Sequence, residues 1–286
     1  MKTKGYILIC SLLSASVLAL SQDKGRRWVY SPASRGMGRA FVVDTSFVEV
    51  YYAMNADDIK NRETYLDYQY LEIGKRYVKY SSEFMREAEE KQRVWVQEHP
   101  GAKSVPNVSP KSKLGIWSEY QYSEYFTHQG VLTEYSTMPM GLEKENAFHK
   151  ETYPNQQWTV LSDTATVCNV RCQKALCQFS GREFVAWFAN SIPLKYGPWK
   201  FGGLPGLILK VEDTGHLYSF ECVKIERKKV KIVMHEYPGY REKKRSDILK
   251  LQRLANEDWF KLVGFTNPKT GEVMSKYVPY NPLELK

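Results

Sequence analysis

A cluster of glycines and prolines between two apolar runs constrains this chain more than any other stretch. Four glycines and three prolines fall between Pro193 and Gly206, with apolar residues at 184–188 before them and at 207–211 after them. Glycine and proline interrupt regular structure and favour turns. The stretch therefore predicts a series of turns that joins two strands.

Particular residues in this stretch indicate which turns form. Pro205 and Gly206 predict a type II turn, because proline fixes φ at the second turn position and glycine accepts a positive φ at the third. Residues 207–211 then form a short apolar strand. Asp213, Thr214 and Gly215 predict a turn that leads into another strand at 217–220.

We call residues 202–208 the signature loop: Gly202, Gly203, Leu204, Pro205, Gly206, Leu207 and Ile208. Residues 203–208 read GLPGLI and resemble the signature of the GLPGLI family, which are secreted proteins of the Bacteroidetes. The motifs at 172–175, 181–182, 196–199 and 281–285 also resemble that family and occur in its order. The match is dense over 172–213. The resemblance implies export, and the family has no assigned biochemical role.

Residues 1–21 predict a secretory signal peptide. Lys2 and Lys4 precede an apolar run at 6–20, and small residues lie before a cleavage site at Gln22. A membrane anchor is the alternative, but the run is shorter than the roughly 20 residues that span a bilayer. We expect a periplasmic or extracellular protein, with residues 22–286 as one β-rich domain.

The chain is basic, with a net charge of +9 that falls to +7 once Lys2 and Lys4 are removed. The excess collects at 224–231 and 241–245. Basic patches can bind nucleic acid or anionic surfaces, but export argues against nucleic acid as a partner. A solvated face is the simpler interpretation, and attraction to anionic lipid headgroups is the alternative.

Four cysteines remain after the signal peptide, which in an oxidising compartment suggests two disulfides. The candidates are Cys168, Cys172, Cys177 and Cys222. If residues 167–179 form one strand, Cys168 and Cys172 lie about 13 Å apart, beyond the reach of a disulfide. At least one bridge is therefore expected to reach Cys222. A zinc site is not favoured, because the cysteine spacing is wrong and histidines do not cluster.

Strand patterns dominate the rest of the chain, at 39–54, 63–81, 117–137, 147–153, 157–163, 168–179, 183–189 and 229–235. Two stretches predict helices instead, at 82–98 with a serine cap and at 246–263 with Ser246 as the cap. We expect an α+β fold that is mainly β. Its large curved antiparallel sheet or half-barrel has two helices covering one face or end.

Sequence motifs give no catalytic set, cofactor site or metal site. The chain lacks the common hydrolase, metalloprotease and phosphate-binding motifs, and its five histidines are dispersed. Glu212 and Asp213 form a carboxylate pair at a strand end, and the following turn explains Asp213. We expect no cofactor, and an enzyme is less favoured than a binding protein.

The signature loop has an architectural and a functional interpretation. Its glycines allow close packing while its apolar side chains fill the core. Alternatively Trp187, Tyr196 and Trp199 line the mouth of the curved sheet and bind a ligand or partner. Three functions follow: a carrier or binding protein for an apolar or peptide ligand, an interaction module of a cell-envelope complex, or a hydrolase without a recognisable motif.

Overall fold

The computed structural model describes residues 29–32, 34–102, 117–154 and 156–286. The predicted signal peptide at 1–21 and most of the loop predicted at 102–114 lie outside the described residues. The fold contains thirteen strands and three α-helices. The strands are β1 (Ala40–Met54), β2 (Asp67–Gly74), β3 (Tyr77–Ser82), β4 (Ser123–His128), β5 (Val131–Ser136), β6 (Ala147–Thr152), β7 (Thr159–Val167), β8 (Val170–Phe179), β9 (Arg182–Ala189), β10 (Leu207–Asp213), β11 (Ser219–Glu226), β12 (Lys231–His235) and β13 (Arg241–Glu242). The helices are α1 (Glu83–Glu98), α2 (Glu119–Tyr122) and α3 (Arg245–Leu262).

All thirteen strands belong to one sheet that is organised around β1. Twelve of them follow the order β13-β6-β5-β4-β3-β2-β1-β11-β10-β9-β8-β7, and β12 lies off this path and pairs with β1. Strands β2 to β6 run outward from one side of β1, and β7 to β11 return from the far edge to its other side. The path has two ends, β13 and β7, so the sheet is open. The predicted mainly antiparallel β-rich fold is confirmed.

Because β1 is long, it pairs with three other strands. Its first part, from Ala40 to Thr45, pairs with β12, while its second part pairs with β2 and β11. In this second part Val50, Tyr52 and Met54 are fully buried on one face of the sheet. This face, which we call the core face, carries the main hydrophobic core.

Several sequence predictions differ from the structure in detail. One strand pair among the described residues, β13 with β6, is parallel rather than antiparallel. The stretch 117–137 was expected to be strand throughout, but it begins with the short helix α2 before β4 and β5. All four residues of α2 are buried, so tertiary packing overrides the β propensity of its two tyrosines.

The two longer helices begin differently. Helix α1 is capped as predicted, because the Ser82 hydroxyl accepts a hydrogen bond from the Met85 amide at 3.2 Å. The predicted cap of α3 is wrong. That helix already begins at Arg245, and its cap residue Lys244 gives no side-chain hydrogen bond. Helix α1 ends at Glu98 as predicted, and α3 ends at Leu262, one residue short of its predicted end, with Gly264 just beyond it at φ of 67°.

Helix α1 and the core lie on opposite sides of the sheet. Along β2, Leu71 and Ile73 belong to the main core while Tyr70 and Glu72 alternate with them. Successive side chains of a strand point to opposite faces, so Tyr70 and Glu72 lie on the side that α1 covers. None of the described helices is long and apolar enough to cross a bilayer.

Candidate functional site

The signature loop is held by close backbone contacts at its glycines. A Cβ atom on Gly206 would lie 2.1 Å from the carbonyl oxygen of Ala189, and one on Gly202 would lie 2.3 Å from the Tyr153 hydroxyl. The predicted type II turn at Pro205 and Gly206 is wrong, because the residue with positive φ is Gly203, at 87°. Gly206 is thus needed for close approach rather than for a left-handed conformation.

Apolar side chains of the loop fill the core face. Leu207 and Ile208 are fully buried, and Leu204 is 2% exposed. Side chains from elsewhere in the chain hold the loop backbone, since Tyr153 and Trp158 donate hydrogen bonds to the carbonyls of Phe201 and Gly202. These are the contacts that the architectural interpretation expects.

The three aromatic residues predicted to bind a ligand all pack against the main core, each with its own partners. Trp199 is 5% exposed and packs edge-on against Phe201 within the core. Tyr196 is half-buried and stacks on Tyr153 at 5.9 Å. Trp187 is half-buried on β9 with its ring 5.8 Å from the Lys174 ammonium.

Lys200, which lies between Trp199 and Phe201, belongs to a buried cluster of charged side chains. The Lys200 ammonium lies 3.2 Å from Glu134, 2.8 Å from Glu151 and 3.1 Å from Glu284. Arg245, the first residue of α3, also pairs with Glu134, at 2.9 Å. Burial alone would raise the pKa of Glu284, but Arg245 and Lys200 lower it to about 2.

This cluster is closed. The neighbouring cavity, lined by Glu134, Arg245 and Glu284 among others, measures about 20 Å³, which suits a single water molecule. Three carboxylates pair with two cations at hydrogen-bonding distance, which leaves one formal negative charge. The cluster thus serves to hold the loop, α3 and the C-terminal tail together.

A much larger groove lies on the opposite face, beneath α1. Its volume is about 1060 Å³, similar to that of ligand sites in other proteins. Strands β2, β3, β4 and β12 contribute Tyr70, Glu72, Lys79, Ser81, Glu124, Val233 and His235 to its lining. Helix α1 supplies a wall that includes Glu83, Arg86, Glu87, Glu90 and Arg93. We call this the α1 groove.

Ion pairs organise the part of the groove near β4. The Lys79 ammonium lies 2.9 Å from Glu124 and donates a hydrogen bond to the Val233 carbonyl at 3.0 Å. Arg35 approaches the other oxygen of Glu124, at 3.2 Å. Burial would raise the pKa of Glu124, but the charges of Arg35 and Lys79 hold it well below its usual range.

Two carboxyl groups face each other near β1, where Glu72 lines the groove and Glu49 lies beside it. Glu49 of β1 pairs in register with Glu72 of β2, and both side chains are at least nine-tenths buried. Arg86 of α1 lies 3.5 Å from each of them, with its guanidinium 4.0 Å from the centre of the Tyr70 ring. The helix is thereby tied to the sheet across the groove.

The two carboxyl groups differ in acidity because their surroundings differ. Burial is the main reason that the pKa of Glu72 is raised to about 7. The Glu49 carboxylate also raises this pKa, whereas the charges of Lys79 and Arg86 lower it. Burial acts on Glu49 in the same direction, but Lys228 at 2.6 Å and a hydrogen bond from Tyr51 bring its pKa below its usual value. A carboxyl group that titrates near neutral pH in a groove indicates a functional site.

Sequence reasoning missed this groove. Residues 67–82 carried the one hint of it, because charged residues alternate there with apolar ones. The groove forms only because α1 lies over these charged residues, and the sequence pattern does not show that. Most basic residues of 224–231 and 241–245 are exposed as expected. Two of them also pair with buried carboxylates, since Lys228 contacts Glu49 and Arg245 joins the buried cluster.

Catalytic and metal-binding groups do not assemble elsewhere among the described residues. No group of three or more potential metal ligands occurs there. Asp213 accepts hydrogen bonds from the amides of Leu217 and Tyr218 and so forms the predicted turn. His99 and His128 stack on Trp95 and Tyr77.

The predicted disulfides are not shown, since Cys168, Cys172, Cys177 and Cys222 are free thiols. The assumption that Cys168 lies on one strand with Cys172 is wrong, because Cys168 occupies the turn between β7 and β8.

Comparison with known proteins gives one family match. Residues 178–210 match the model of a family described as "Protein of unknown function (Porph_ging)". The chain is similar to this family over the end of β8, β9 and the signature loop. No curated protein matches significantly.

Two solved structures of PNGF-II, in the C2 and P21 space groups, are also similar to the chain. Each has a TM-score of 0.47 and 12% sequence identity, over 76% of this chain. The chain spans about one third, 34%, of the length of those chains.

We predict that Gly206→Ala destabilises the protein strongly. The new methyl group would overlap the Ala189 carbonyl, so the free energy of unfolding is expected to fall by about 3 kcal/mol or more. Chemical denaturation measures this change. Gly239→Ala is the control, because a Cβ there meets nothing within 4 Å. Equal stability of the two variants would contradict the close packing described for the loop.

We also predict that Glu72→Gln changes how stability depends on pH. The pKa of Glu72 is raised from 4.5 to about 7, so its contribution to stability is present below pH 4.5 and is lost as pH rises through 7. Relative to wild type, Glu72→Gln should gain about 3 kcal/mol of unfolding free energy between pH 4.5 and 8.

Glu49→Gln is the matched control for this experiment. The pKa of Glu49 is lowered, so its contribution is present at neutral pH and is lost as pH falls through its folded pKa. Glu49→Gln should therefore be less stable than wild type at pH 7, and the difference should shrink in acid. Parallel pH profiles for both variants and wild type would contradict the assignment.

Proposed function

We propose that the protein is a binding protein whose α1 groove takes a short peptide. The observation that carries this proposal is a groove of about 1060 Å³ with charges of both signs in its lining. Seven basic and seven acidic side chains line it. A lining of one sign would select an ion of the opposite sign, whereas a balanced lining suits a ligand that carries both charges and polar backbone groups.

The dimensions of α1 support a ligand of a few residues. The lining residues of the helix run from Glu83 to Arg93, a helical length of about 16 Å. An extended peptide of about five residues has the same length. Charged ends of such a peptide would meet cations and carboxylates of the groove.

A carrier for an apolar ligand finds less support. Such a ligand needs an open apolar cavity, but Trp199, Phe201 and Leu204 occupy the core face. The cavity beside them, between β2, β3 and β4, measures only about 10 Å³.

The interaction module remains a second proposal because of one feature, the edge strand β7. It pairs with β8 alone and ends the strand path of the sheet. Its residues are mostly exposed, including Val160 at 46%. A partner strand could add to such an edge.

We further propose that the protein is exported and is a GLPGLI-family member. The signal-like pattern of residues 1–21 and the motifs around residues 203–208 support this. Oxidising conditions outside the cytoplasm would then allow its thiols to pair.

We predict that a tryptophan at position 233 abolishes peptide binding. Val233 is half-buried in the groove lining, and only its backbone takes part in the hydrogen bond with Lys79. Val233→Trp should obstruct the sheet side of the groove and reduce capture at least tenfold. The probe is a mixture of pentapeptides with free termini, which is passed over the immobilised protein and identified by mass spectrometry.

Val160→Trp is the matched control, because it makes the same change on the exposed edge strand. It should capture peptides as wild type does. If Val160→Trp alone loses capture, the edge strand is the binding site. If wild type captures no peptide and releases a lipid in native mass spectrometry, the apolar-carrier function is correct and the peptide proposal is wrong.

A further inference from the structure

Two nitrogen atoms in residues that line the α1 groove have no hydrogen-bond partner within the described part of the chain. They are Nη1 of Arg35 and Nδ1 of His235, and both atoms are buried. The Arg35 side chain as a whole is 5% exposed. Buried polar atoms in folded proteins are normally hydrogen-bonded. These two nitrogens therefore point to a group that the groove receives from outside.

The surroundings of Glu124 bring both nitrogens into one part of the groove. Arg35 Nη1 lies 3.2 Å from the Glu124 carboxylate, which also accepts a hydrogen bond from the Tyr237 hydroxyl at 2.7 Å. His235 is two residues before Tyr237 and shares one face of β12 with Val233, because alternate residues of a strand point the same way. Val233 and His235 both line the groove. The two nitrogens thus belong to the part of the groove between β12 and β4.

This part of the groove carries more positive than negative charge. Arg35 donates two hydrogen bonds of 2.6 Å to Glu89, and Lys79 pairs with Glu124 at 2.9 Å, so these charges balance. Lys231 also lines the groove, is exposed, and has no ion pair with another described residue. One positive charge therefore remains, which favours an anionic ligand group. We call this part the β12 end: Arg35, Lys79, Glu89, Glu124, Lys231 and His235.

The unsatisfied donors of the β12 end match a carboxylate. Hydrogen bonds from a guanidinium group to a carboxylate are charge-assisted and are stronger than those to a neutral acceptor. Burial lowers the pKa of His235, so its ring is neutral near pH 7 and carries one N–H. A carboxylate oxygen beside Nδ1 would hold that proton on Nδ1, because only a donor can face a carboxylate.

We propose that the β12 end binds the terminal carboxylate of the peptide, so that the α1 groove selects ligands with a free C-terminus. This inference rests on the proposed peptide-binding function of the groove. The carboxylate accepts hydrogen bonds from Arg35 Nη1 and His235 Nδ1, and Lys231 supplies the balancing charge. A few such polar groups suffice to fix the orientation of a ligand in a groove.

The test compares capture by the full chain from two pentapeptide mixtures of the same random composition, one with free C-termini and one with C-terminal amides. A captured sequence is then synthesised in both forms, and calorimetry measures the Kd of each. Wild type should bind the acid about tenfold more tightly than the amide, or more, because the amide loses the charge and one acceptor oxygen. This ratio of the two Kd values isolates the contact with the carboxylate.

Two variants and one control locate the contact. His235→Phe keeps a ring but removes the donor, and should reduce the ratio to about threefold or less. His128→Phe is the matched control and should retain the ratio, since its ring stacks on Tyr77 and it does not line the groove. Lys231→Gln should also reduce the ratio. Its position is exposed, so it serves as the test if circular dichroism shows that His235→Phe does not fold.

The possible failures of the two proposals differ. Equal affinity of wild type for acid and amide would overturn the carboxylate site and leave the peptide-binding function standing. Captured amides that are enriched in aspartate or glutamate would show that the groove recognises a side-chain carboxylate instead. A ratio that is unchanged in both His235→Phe and Lys231→Gln would place the carboxylate elsewhere. Failure of wild type to capture either mixture would overturn the peptide-binding function and this inference together.

Discussion

The position of the signature loop depends on one buried ammonium group. Lys200 is 2% exposed and meets three carboxylates, one from β5, one from β6 and one from the C-terminal tail. Arg245 adds α3 to the same cluster. Removing one partner of a buried pair leaves a charge without compensation, which typically costs about 3–5 kcal/mol. The loop, the outer strands, the last helix and the tail are therefore held as a unit.

This arrangement decides which face of the sheet can bind a ligand. With Lys200 fixed, Trp199 and Phe201 on either side of it fill the core face. The opposite face, beneath α1, is not filled in this way. There α1 stands over charged strand residues and is tied to them by Arg86, which leaves the groove open. A fold whose sequence suggested an apolar cavity thus presents a charged one on its other side.

Local patterns predicted much of the fold. Alternation predicted most strands, and the serine cap predicted the start of α1. Features that depend on contacts between distant residues were not predicted from the sequence. Gly206 requires glycine because of Ala189, which belongs to another strand. The pairing of Glu49 with Glu72 depends on strand register, and sequence alone does not set that register.

Hydrogen exchange of the protein with and without the pentapeptide mixture tests the central claim most directly, namely that ligand binds beneath α1 and not at the signature loop. We predict that added peptide slows exchange in α1 and in β2 and β3, and leaves the already buried residues 199–208 unchanged. Slower exchange confined to residues 196–208, with no change in α1, would contradict the account and would return the binding site to the aromatic residues of the loop.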